Sequence, residues 1–248
     1  MNKIHETALI SQKAVIGKNV TIGPFTIVYD NVEIGDNTII ESHCEIGVSN
    51  HLSQGEVLRI SRDSYIRSHS IFYEGSTFGE RLVTGHRVTV REKIIAGRNL
   101  QIGTLSDIQG HCEIGDFVRF HSNVHIGQKS KIGNFVWIFP YVVLTNDPHP
   151  PSETLIGVTV EDYAVIATMS VILPGTRISK GVLVGAHSSL KGETVQDTVY
   201  AGNPAREICS TSKIKNKITK EEIYPWRRNF HRGYPEEIIK QWKDEFNE

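Results

Sequence analysis

The sequence predicts an all-β solenoid, a parallel β-helix with a short α-helical appendage at its C-terminal end. Three observations support this prediction. Aliphatic residues recur every six positions, whereas an amphipathic helix repeats at about 3.6 residues and a half-buried strand at every second residue. Gly or another small residue often follows the aliphatic residue, and Asn or Asp stands where a corner is expected.

The first run of the repeat extends from Ile4 to Ile46 without a miss. Its members are Ile4, Ile10, Ile16, Ile22, Val28, Ile34, Ile40 and Ile46. A second run resumes at Ile60 and ends at Leu144, and a third extends from Val160 to Leu190. Each aliphatic residue should point inward and stack on its equivalents in neighbouring coils, so the core is expected to be a column of Ile and Val. The adjacent Gly suits a sharp bend because it reaches positive φ.

Two interruptions of the repeat predict loops that project from the solenoid. The first, near residues 48–57, is polar and contains Gly55. The second, near residues 145–159, contains three prolines, which cannot join a central ladder. Loops held by a rigid scaffold often carry function, and a tolerated insertion is the alternative, which is weaker for the second loop than for the first.

The repeat fades beyond Leu190, and this change predicts the organisation of the chain. Residues 1–208 are assigned to the β-helix and residues 209–248 to a C-terminal helical extension. A cap at Thr219 followed by Glu221 and Glu222 predicts a first helix. Pro235 at the start of an amphipathic stretch that reaches Trp242 predicts a second helix. Both helices are expected to pack on the end of the solenoid or on another subunit.

The composition of the chain argues against two classes of binding partner. The net charge is −1 and charged residues make up 22% of the chain, without a long run of one sign, so neither nucleic acid nor an anionic membrane is expected as a partner. No apolar stretch approaches the roughly 20 residues of a membrane span, and the start has no signal-peptide core, so we expect a cytoplasmic protein. Three scattered cysteines suit neither a disulfide framework nor a zinc site.

The hexad repeat, the proline-bearing loop that opens with Thr145-Asn146-Asp147, and the closing segment from Gly202 to Arg206 resemble the left-handed parallel β-helix (hexapeptide-repeat) acyltransferases. The stretch from Leu58 to Asp147 is most similar to N-acetyltransferases of nucleotide-linked 3-amino-3,6-dideoxy sugars. The resemblance implies a left-handed coil and a homotrimer with active sites between subunits. It also implies acetyl-coenzyme A as co-substrate, no metal, and a role in the synthesis of surface glycans such as lipopolysaccharide.

Acyl transfer from a thioester needs a positioned acceptor and a group that takes its proton. Histidine titrates near neutrality and suits that task. His121 and His125 lie beside inward residues of neighbouring hexads and should point outward. Asn146 and Asp147 open the second loop, where a carboxylate suits an ammonium acceptor, although Asn-Asp-Pro also makes a good turn. His149 resembles the loop histidine that acts as base in galactoside-type relatives, although its neighbours differ.

Candidate binding residues lie on either side of these histidines. His86 falls two coils before His121, so it is expected on the same side of the prism, close to Arg91 and Glu92. Arg91 suits a diphosphate and Glu92 suits a sugar hydroxyl, although a solvated ion pair is equally compatible. Small residues and cations of the last coils are expected to contact coenzyme A. They are Ala167, Gly185, Ala186, Lys191, Asn203 and Arg206, and Asn203 and Arg206 belong to the closing segment of the resemblance.

Three classes of function remain open on the sequence. The first is the N-acetyltransferase, with an O-acetyltransferase of a sugar or of serine as a variant on the same scaffold. The second is a γ-type carbonic anhydrase, in which three histidines across a subunit boundary hold zinc. His86, His121 and His125 suggest that pattern, but the last two are four residues apart where that family has five. The third is a solenoid that only presents surfaces or tethers subunits.

Overall fold

The computed structural model describes residues 1–247 and is a left-handed parallel β-helix of about 11 coils followed by one short α-helix. The predicted fold class is therefore confirmed. Glu248, the last residue of the predicted extension, lies outside the described residues. Among residues 1–247, no helix combines the length and the apolar character that crossing a membrane requires.

Each of the first nine coils contributes one short strand to each of three sheets, which we call faces A, B and C in chain order, and the strands after Arg177–Ile178 belong to faces A and B alone. Face A contains Lys3–Ile4, Thr21–Ile22, Ile39–Ile40, Tyr65–Ile66, Val83–Thr84, Gln101–Ile102, Arg119–Phe120, Trp137–Ile138, Val165–Ile166, Leu183–Val184, Thr198–Gly202 and Ala205–Ser210. Face B contains Leu9–Ile10, Ile27–Val28, Glu45–Val48, Ile71–Tyr73, Thr89–Val90, Asp107–Ile108, His125–Ile126, Val143–Leu144, Val171–Ile172 and Ser189–Leu190. Face C contains Val15–Ile16, Val32–Ile34, Leu58–Ile60, Thr77–Phe78, Ile95–Ala96, Glu113–Ile114, Lys131–Ile132, Thr159–Val160 and Arg177–Ile178.

The register of neighbouring coils is set by the repeat. Asp107 pairs with His125 and Ile108 with Ile126, so equivalent residues of uninterrupted coils lie 18 positions apart. Because most strands have only two residues, their backbone hydrogen bonds run to the coils above and below, as from His125 N to Val142 O at 3.0 Å. The solenoid is therefore stabilised by contacts between neighbouring coils.

The inward residues form the predicted column. From Ile22 onward its members are buried, as Ile40, Ile108 and Ile126 show. At the first coil Ile4 is in register with Ile22 but is 44% exposed, because the structure describes no coil below it. Ile10 and Ile16 are only partly buried against the same core. At two inward positions of the second run the sequence has Thr84 and Ala96 in place of a large apolar residue, and both side chains are buried. The six-residue step therefore continues through both positions.

Among the described glycines that follow an inward residue, Gly47 alone has the predicted positive φ, at 89°, and the others serve another purpose. At most corners positive φ occurs two residues further along, for example at Asn19, where φ is 56°, and at Asn37, where φ is 58°. Gly23 lacks positive φ, but a Cβ there would lie 2.8 Å from the backbone carbon of Glu41 in the next coil. These glycines are needed because successive coils approach closely at the corner.

Both loops leave the prism at the corner between faces B and C. Loop 1 (residues 49–57) joins Glu45–Val48 to Leu58–Ile60, and loop 2 (residues 145–158) joins Val143–Leu144 to Thr159–Val160. They belong to the third and eighth coils, so they are separated by roughly 24 Å at about 4.8 Å per coil. The part of face B between them is framed along one edge by both loops.

The first predicted helix, at Thr219–Glu222, is wrong. The side chain of Asn216 accepts hydrogen bonds from the backbone N–H groups of Ile218 (2.8 Å) and Thr219 (3.2 Å), and Lys215 forms an antiparallel bridge with Glu222. Side-chain bonding to the local backbone competes with helix formation and favours a tight turn here. Short 3₁₀ turns occur instead at Thr211–Lys213 and Trp226–Arg228.

The second predicted helix is confirmed as Glu236–Phe246, which we call α1, with Pro235 at its N-cap. It packs along the side of the prism, on the corner between faces C and A, and not on the end of the solenoid. Phe117, Phe135 and Tyr163 stack at that corner with ring centroids 5.1 Å apart. Trp242 of α1 is buried with its ring 5.3 Å from that of Phe135. The aromatic ladder therefore determines where the extension docks.

Ile132 and Lys131 are neighbours on one strand of face C and offer a matched test of this core. Replacing buried Ile132 by Ala should lower the free energy of unfolding by about 2–5 kcal/mol, because it leaves a cavity in the column. Lys131 is 60% exposed and pairs with exposed Glu113, so Lys131→Ala should change stability by no more than about 1 kcal/mol. Urea unfolding followed by circular dichroism measures both, and equal losses would contradict a core built on the inward column.

Candidate functional site

The middle of face B carries a strip of polar side chains that point outward between the two loops. They come from successive coils and are Tyr73, Arg91, Asp107, Gln109 and His125. The register explains their proximity, because each lies directly beside an inward residue of the same face. Side chains that are distant in sequence are thereby gathered on one surface.

Asp107 and His125 form a hydrogen-bonded pair at the centre of this strip. The Oδ2 atom of Asp107 lies 3.0 Å from Nδ1 of His125 and accepts a hydrogen bond of 2.6 Å from Gln109 Nε2. Burial raises the pKa of Asp107, but hydrogen bonds from His125 and Gln109, together with the charges of His125 and Arg91, outweigh it and lower that pKa. The carboxylate therefore stays ionised at neutral pH and orients the imidazole, leaving Nε2 as the ring nitrogen that can accept a proton.

His125 was among the predicted catalytic residues, whereas its partners Asp107 and Gln109 were missed. The signal that could have found Asp107 is the register itself, since it precedes His125 by 18 residues. In a solenoid of 18-residue coils, that separation places two outward side chains one above the other. A search for polar pairs at this spacing would have identified Asp107.

His121 lies apart from His125, at the corner between faces A and B. Its ring stacks on Phe139 with centroids 4.5 Å apart and lies 5.9 Å from the ring of Trp137. Burial lowers the pKa of His121, so its imidazole is neutral at neutral pH. It borders a groove of about 310 Å³ on face A, which is lined by Arg67, Gly85, Gly103, Arg119 and Trp137 among others. The two predicted histidines therefore serve different surfaces.

Loop 2 contains Asn146, Asp147 and His149, and the Asp147 carboxylate is used to shape it. Asp147 accepts hydrogen bonds from Ser152 Oγ (2.6 Å), Ser152 N (2.8 Å) and His149 N (2.9 Å). The bond from Ser152 Oγ is the largest cause of its lowered pKa. The backbone carbonyl of Asn146 accepts from Ile156 N at 2.7 Å and closes the loop, while the side chain of His149 is exposed. The turn chemistry considered for Asp147 is thus realised.

The expected grouping of His86 with Arg91 and Glu92 is not found. His86 lies at the corner between faces A and B, where its Nδ1 is 2.9 Å from Ser68 Oγ. Arg91 and Glu92 lie at the opposite edge of face B, on the far side of the strand Thr89–Val90. Glu92 is buried, so it does not reach a ligand on the surface. Residues close in sequence are separated here because one face intervenes.

The residues expected to contact coenzyme A fall into two places. Ala167 and Gly185 stack at the corner between faces A and B, and Ala186 and Asn203 are exposed at the same corner. Arg206 is also exposed and lies on the closing strand Ala205–Ser210. Lys191 follows the strand Ser189–Leu190 and lies at the next corner. The lack of bulk at the first corner lets an extended ligand approach the backbone.

The His, Cys, Asp and Glu side chains decide which metal and thiol chemistry the chain can offer. Within residues 1–247 no three His, Cys, Asp or Glu side chains of a single chain are grouped as metal ligands. Burial raises the pKa of both the Cys44 and Cys112 thiols to about 11. Neither is therefore a thiolate at neutral pH, and neither suits the part of a nucleophile.

Known proteins resemble this chain in its repeat and its fold. The family described as "Bacterial transferase hexapeptide (six repeats)" matches residues 13–47. An Arabidopsis UDP-N-acetylglucosamine acyltransferase structure superimposes with a TM-score of 0.54 at 17% identity, covering 98% of this chain and 82% of that one. At that identity the likeness shows the fold alone.

Two curated relatives share parts of the sequence. An acyl-[acyl-carrier-protein]–UDP-N-acetylglucosamine O-acyltransferase of Thermodesulfovibrio yellowstonii is 32% identical over 173 residues, which cover 66% of this chain. A 2,3,4,5-tetrahydropyridine-2,6-dicarboxylate N-acetyltransferase of Staphylococcus aureus is 32% identical over 101 residues, or 41% of this chain. The matched regions span 57% and 36% of the lengths of these relatives.

The loop-shaping role of Asp147 can be tested without any substrate. Asp147→Ala removes three hydrogen bonds, so the amides of His149 and Ser152 should exchange with solvent at least tenfold faster while the core strands keep their protection. Hydrogen exchange followed by mass spectrometry measures both. Glu153→Ala, at an exposed residue of the same loop, is the control and should leave exchange unchanged. Unaltered protection in Asp147→Ala would show that other contacts hold the loop.

Proposed function

We propose that this left-handed β-helix, whose residues 13–47 match the hexapeptide transferase family, is an acetyl-coenzyme A-dependent N-acetyltransferase acting on a nucleotide-linked amino sugar. The observation that carries the proposal is the Asp107–His125 pair on face B, 3.0 Å apart. An oriented imidazole beside an open surface is what direct acyl transfer to an amine requires. The names of the relatives support the two halves of the reaction, since one acts on a UDP-linked sugar and the other is an N-acetyltransferase.

In the proposed mechanism, His125 is the proton carrier. Its Nε2 accepts a proton from the acceptor amine as the amine nitrogen attacks the thioester carbonyl and forms the new C–N bond. The imidazolium, stabilised by the Asp107 carboxylate, then returns that proton to the coenzyme A thiolate as the C–S bond breaks. Atoms balance as amine plus thioester giving amide plus thiol, and no covalent enzyme intermediate is needed.

The two substrates are assigned to different halves of face B. Above His125 the outward residues are Val143 and Val171, the latter 36% exposed. This apolar half, beside the small residues Ala167, Gly185 and Ala186, suits the acyl group and the pantetheine arm. Below His125 lie Arg91 and Tyr73, which suit a phosphate and a planar or sugar ring. The acceptor is therefore assigned to the lower half.

We assign the working form to a homotrimer in which a neighbouring subunit completes this open face. An open face buries little of an extended ligand, whereas a second prism would cover the ligand. The mass in solution, from size-exclusion chromatography with light scattering, tests the trimer directly. Asn146 and His149 of loop 2, at the edge of face B, are then assigned to substrate positioning, with His125 as the base, whereas His121 belongs to the groove on face A.

The central prediction concerns His125. His125→Ala should lower kcat by about 10²–10⁴-fold, the usual contribution of a general base, and Asp107→Asn should lower it by a smaller factor within that range because the imidazole loses its orientation. Release of the coenzyme A thiol is followed with a chromogenic disulfide, using acetyl-coenzyme A and dTDP- or UDP-linked 3-amino-3,6-dideoxyhexoses. His5→Ala, at an exposed histidine of the first coil, is the matched control. Full activity in His125→Ala would remove it from the mechanism.

The same assay separates the alternatives. Thiol release with serine or a hydroxyl sugar, and none with the amino sugars, would favour an O-acetyltransferase. Zinc bound at one per subunit, with CO₂ hydration and no thiol release, would favour the carbonic anhydrase.

A further inference from the structure

Glu92 is a buried carboxylate at the edge of the candidate site. Its side chain is 0% exposed. The Oε2 atom accepts hydrogen bonds from Asn50 Nδ2 (2.9 Å) and Arg91 Nε (3.0 Å). The Oε1 atom is buried and has no hydrogen-bond partner within residues 1–247. A buried charge that is only half satisfied is costly, and an apolar residue of similar volume is often no less stabilising. Stability alone therefore does not explain this carboxylate.

Gly110, in the next coil, provides the space that the carboxylate occupies. A Cβ at Gly110 would lie only 2.6 Å from Glu92 Oε1 and 3.0 Å from the Glu92 carbonyl oxygen. Gly110 lacks positive φ, so backbone conformation does not explain the glycine. A residue without a Cβ is needed at position 110 because the Glu92 carboxylate lies against it.

Asn50 connects this carboxylate to loop 1. Its side-chain Oδ1 accepts hydrogen bonds from the backbone of Leu52 (2.8 Å) and Ser53 (2.9 Å), while its Nδ2 donates to Glu92. Loop 1 leaves the third coil, whereas Glu92 belongs to the fifth, so the loop extends along the corner toward the candidate site. A second buried carboxylate, Glu74, accepts from Gly55 N at 3.3 Å. Both ends of the loop are thus held by buried acids.

Arg91 connects the same carboxylate to the surface of face B. Its guanidinium lies 5.2 Å from the ring centre of Tyr73, and its side chain is 25% exposed. Since Nε is bonded to Glu92, the two terminal nitrogens are left for a ligand, and a guanidinium presents them in a geometry that suits phosphate oxygens. Arg91 lies two coils below His125, about 10 Å along the axis. A hexose carrying a phosphate at one end and an amine at the other spans such a distance.

We propose that Glu92 is a positioning residue: it fixes loop 1 through Asn50 and orients the Arg91 guanidinium to receive the diphosphate of a nucleotide-linked acceptor. This inference rests on the proposed function for the identity of the acceptor. It assigns Glu92 an indirect role in place of the direct contact with a sugar hydroxyl that was expected. The binding surface itself is Arg91 with Tyr73.

The test uses UDP and dTDP as probes, titrated by calorimetry into the 248-residue protein. Glu92→Gln keeps the shape but removes the charge that holds Arg91, and it should weaken binding by about tenfold. Gly110→Ala displaces the carboxylate without altering it and should weaken binding to a similar extent. Arg91→Met should weaken it more than either. Glu113→Gln, an exposed glutamate on face C, is the matched control and should bind as the wild type does.

Two further readouts separate positioning from a loss of fold. In Glu92→Gln and Asn50→Ala, hydrogen exchange in residues 49–57 should accelerate while loop 2 and the core strands keep their protection. In the transfer assay, Glu92→Gln should raise KM for the nucleotide sugar while KM for acetyl-coenzyme A stays unchanged.

The outcomes divide clearly. Wild-type affinity and wild-type loop exchange in Glu92→Gln would overturn the inference, as would failure of the wild type to bind either nucleotide even though it transfers acetyl groups. A further outcome is a protein that binds the nucleotides and transfers no acetyl group. If Glu92→Gln, Gly110→Ala and Arg91→Met then weaken nucleotide binding, the inference stands and the proposed function is wrong.

Discussion

The backbone hydrogen bonds between successive coils are the interaction on which the rest of this structure depends. Strands of two residues have no stability of their own, and each gains it only from the equivalent strand one coil away, as in the pairing of Asp107 with His125. This pairing places each side chain in line, along the helix axis, with the side chains at the equivalent positions of the coils above and below. The inward rows become the aliphatic core, and the outward rows become surfaces whose chemistry depends on what stacks above and below.

The same constraint shapes the corners. Coils close enough to pair leave no room for a Cβ at positions such as Gly23 or Gly115, and they place residues such as Asn37 in the left-handed region. Side chains with an acceptor then bridge coils, as Asp36 does by accepting from Lys18 N at 2.6 Å. Where the corner residues are aromatic, at Phe117 and Phe135, the row becomes the docking surface for α1. The close spacing of the coils thus explains the glycines, the polar side chains that bridge coils, and the aromatic stack on which α1 packs.

The candidate site lies where two loops interrupt the repeat at the same corner of the prism. Both insertions leave between faces B and C, so they frame a strip in which Asp107, His125 and Arg91 come from different coils. The buried Glu92 links the lower loop to that strip through Asn50. In the proposed function, the rigid prism holds both the Asp107–His125 pair and the Arg91–Tyr73 binding surface in position, and the two loops border them.

The sequence by itself determined the fold class, the core column, the two loops and the helix after Pro235, because each rests on a local period or a local cap. It also identified His125, Arg91 and Glu92 as candidates, with an Arg91–Glu92 ion pair as one alternative, but it did not identify the partners of His125. Asp107 was predictable in principle from the 18-residue register. The contact of Asn50 with Glu92 was not, since an inserted loop breaks that register and its path depends on tertiary packing. Only the tertiary structure separated His86 from Arg91, placed α1 on the side of the prism, and replaced the expected helix at Thr219–Glu222 by a turn, because these outcomes depend on which distant side chains meet.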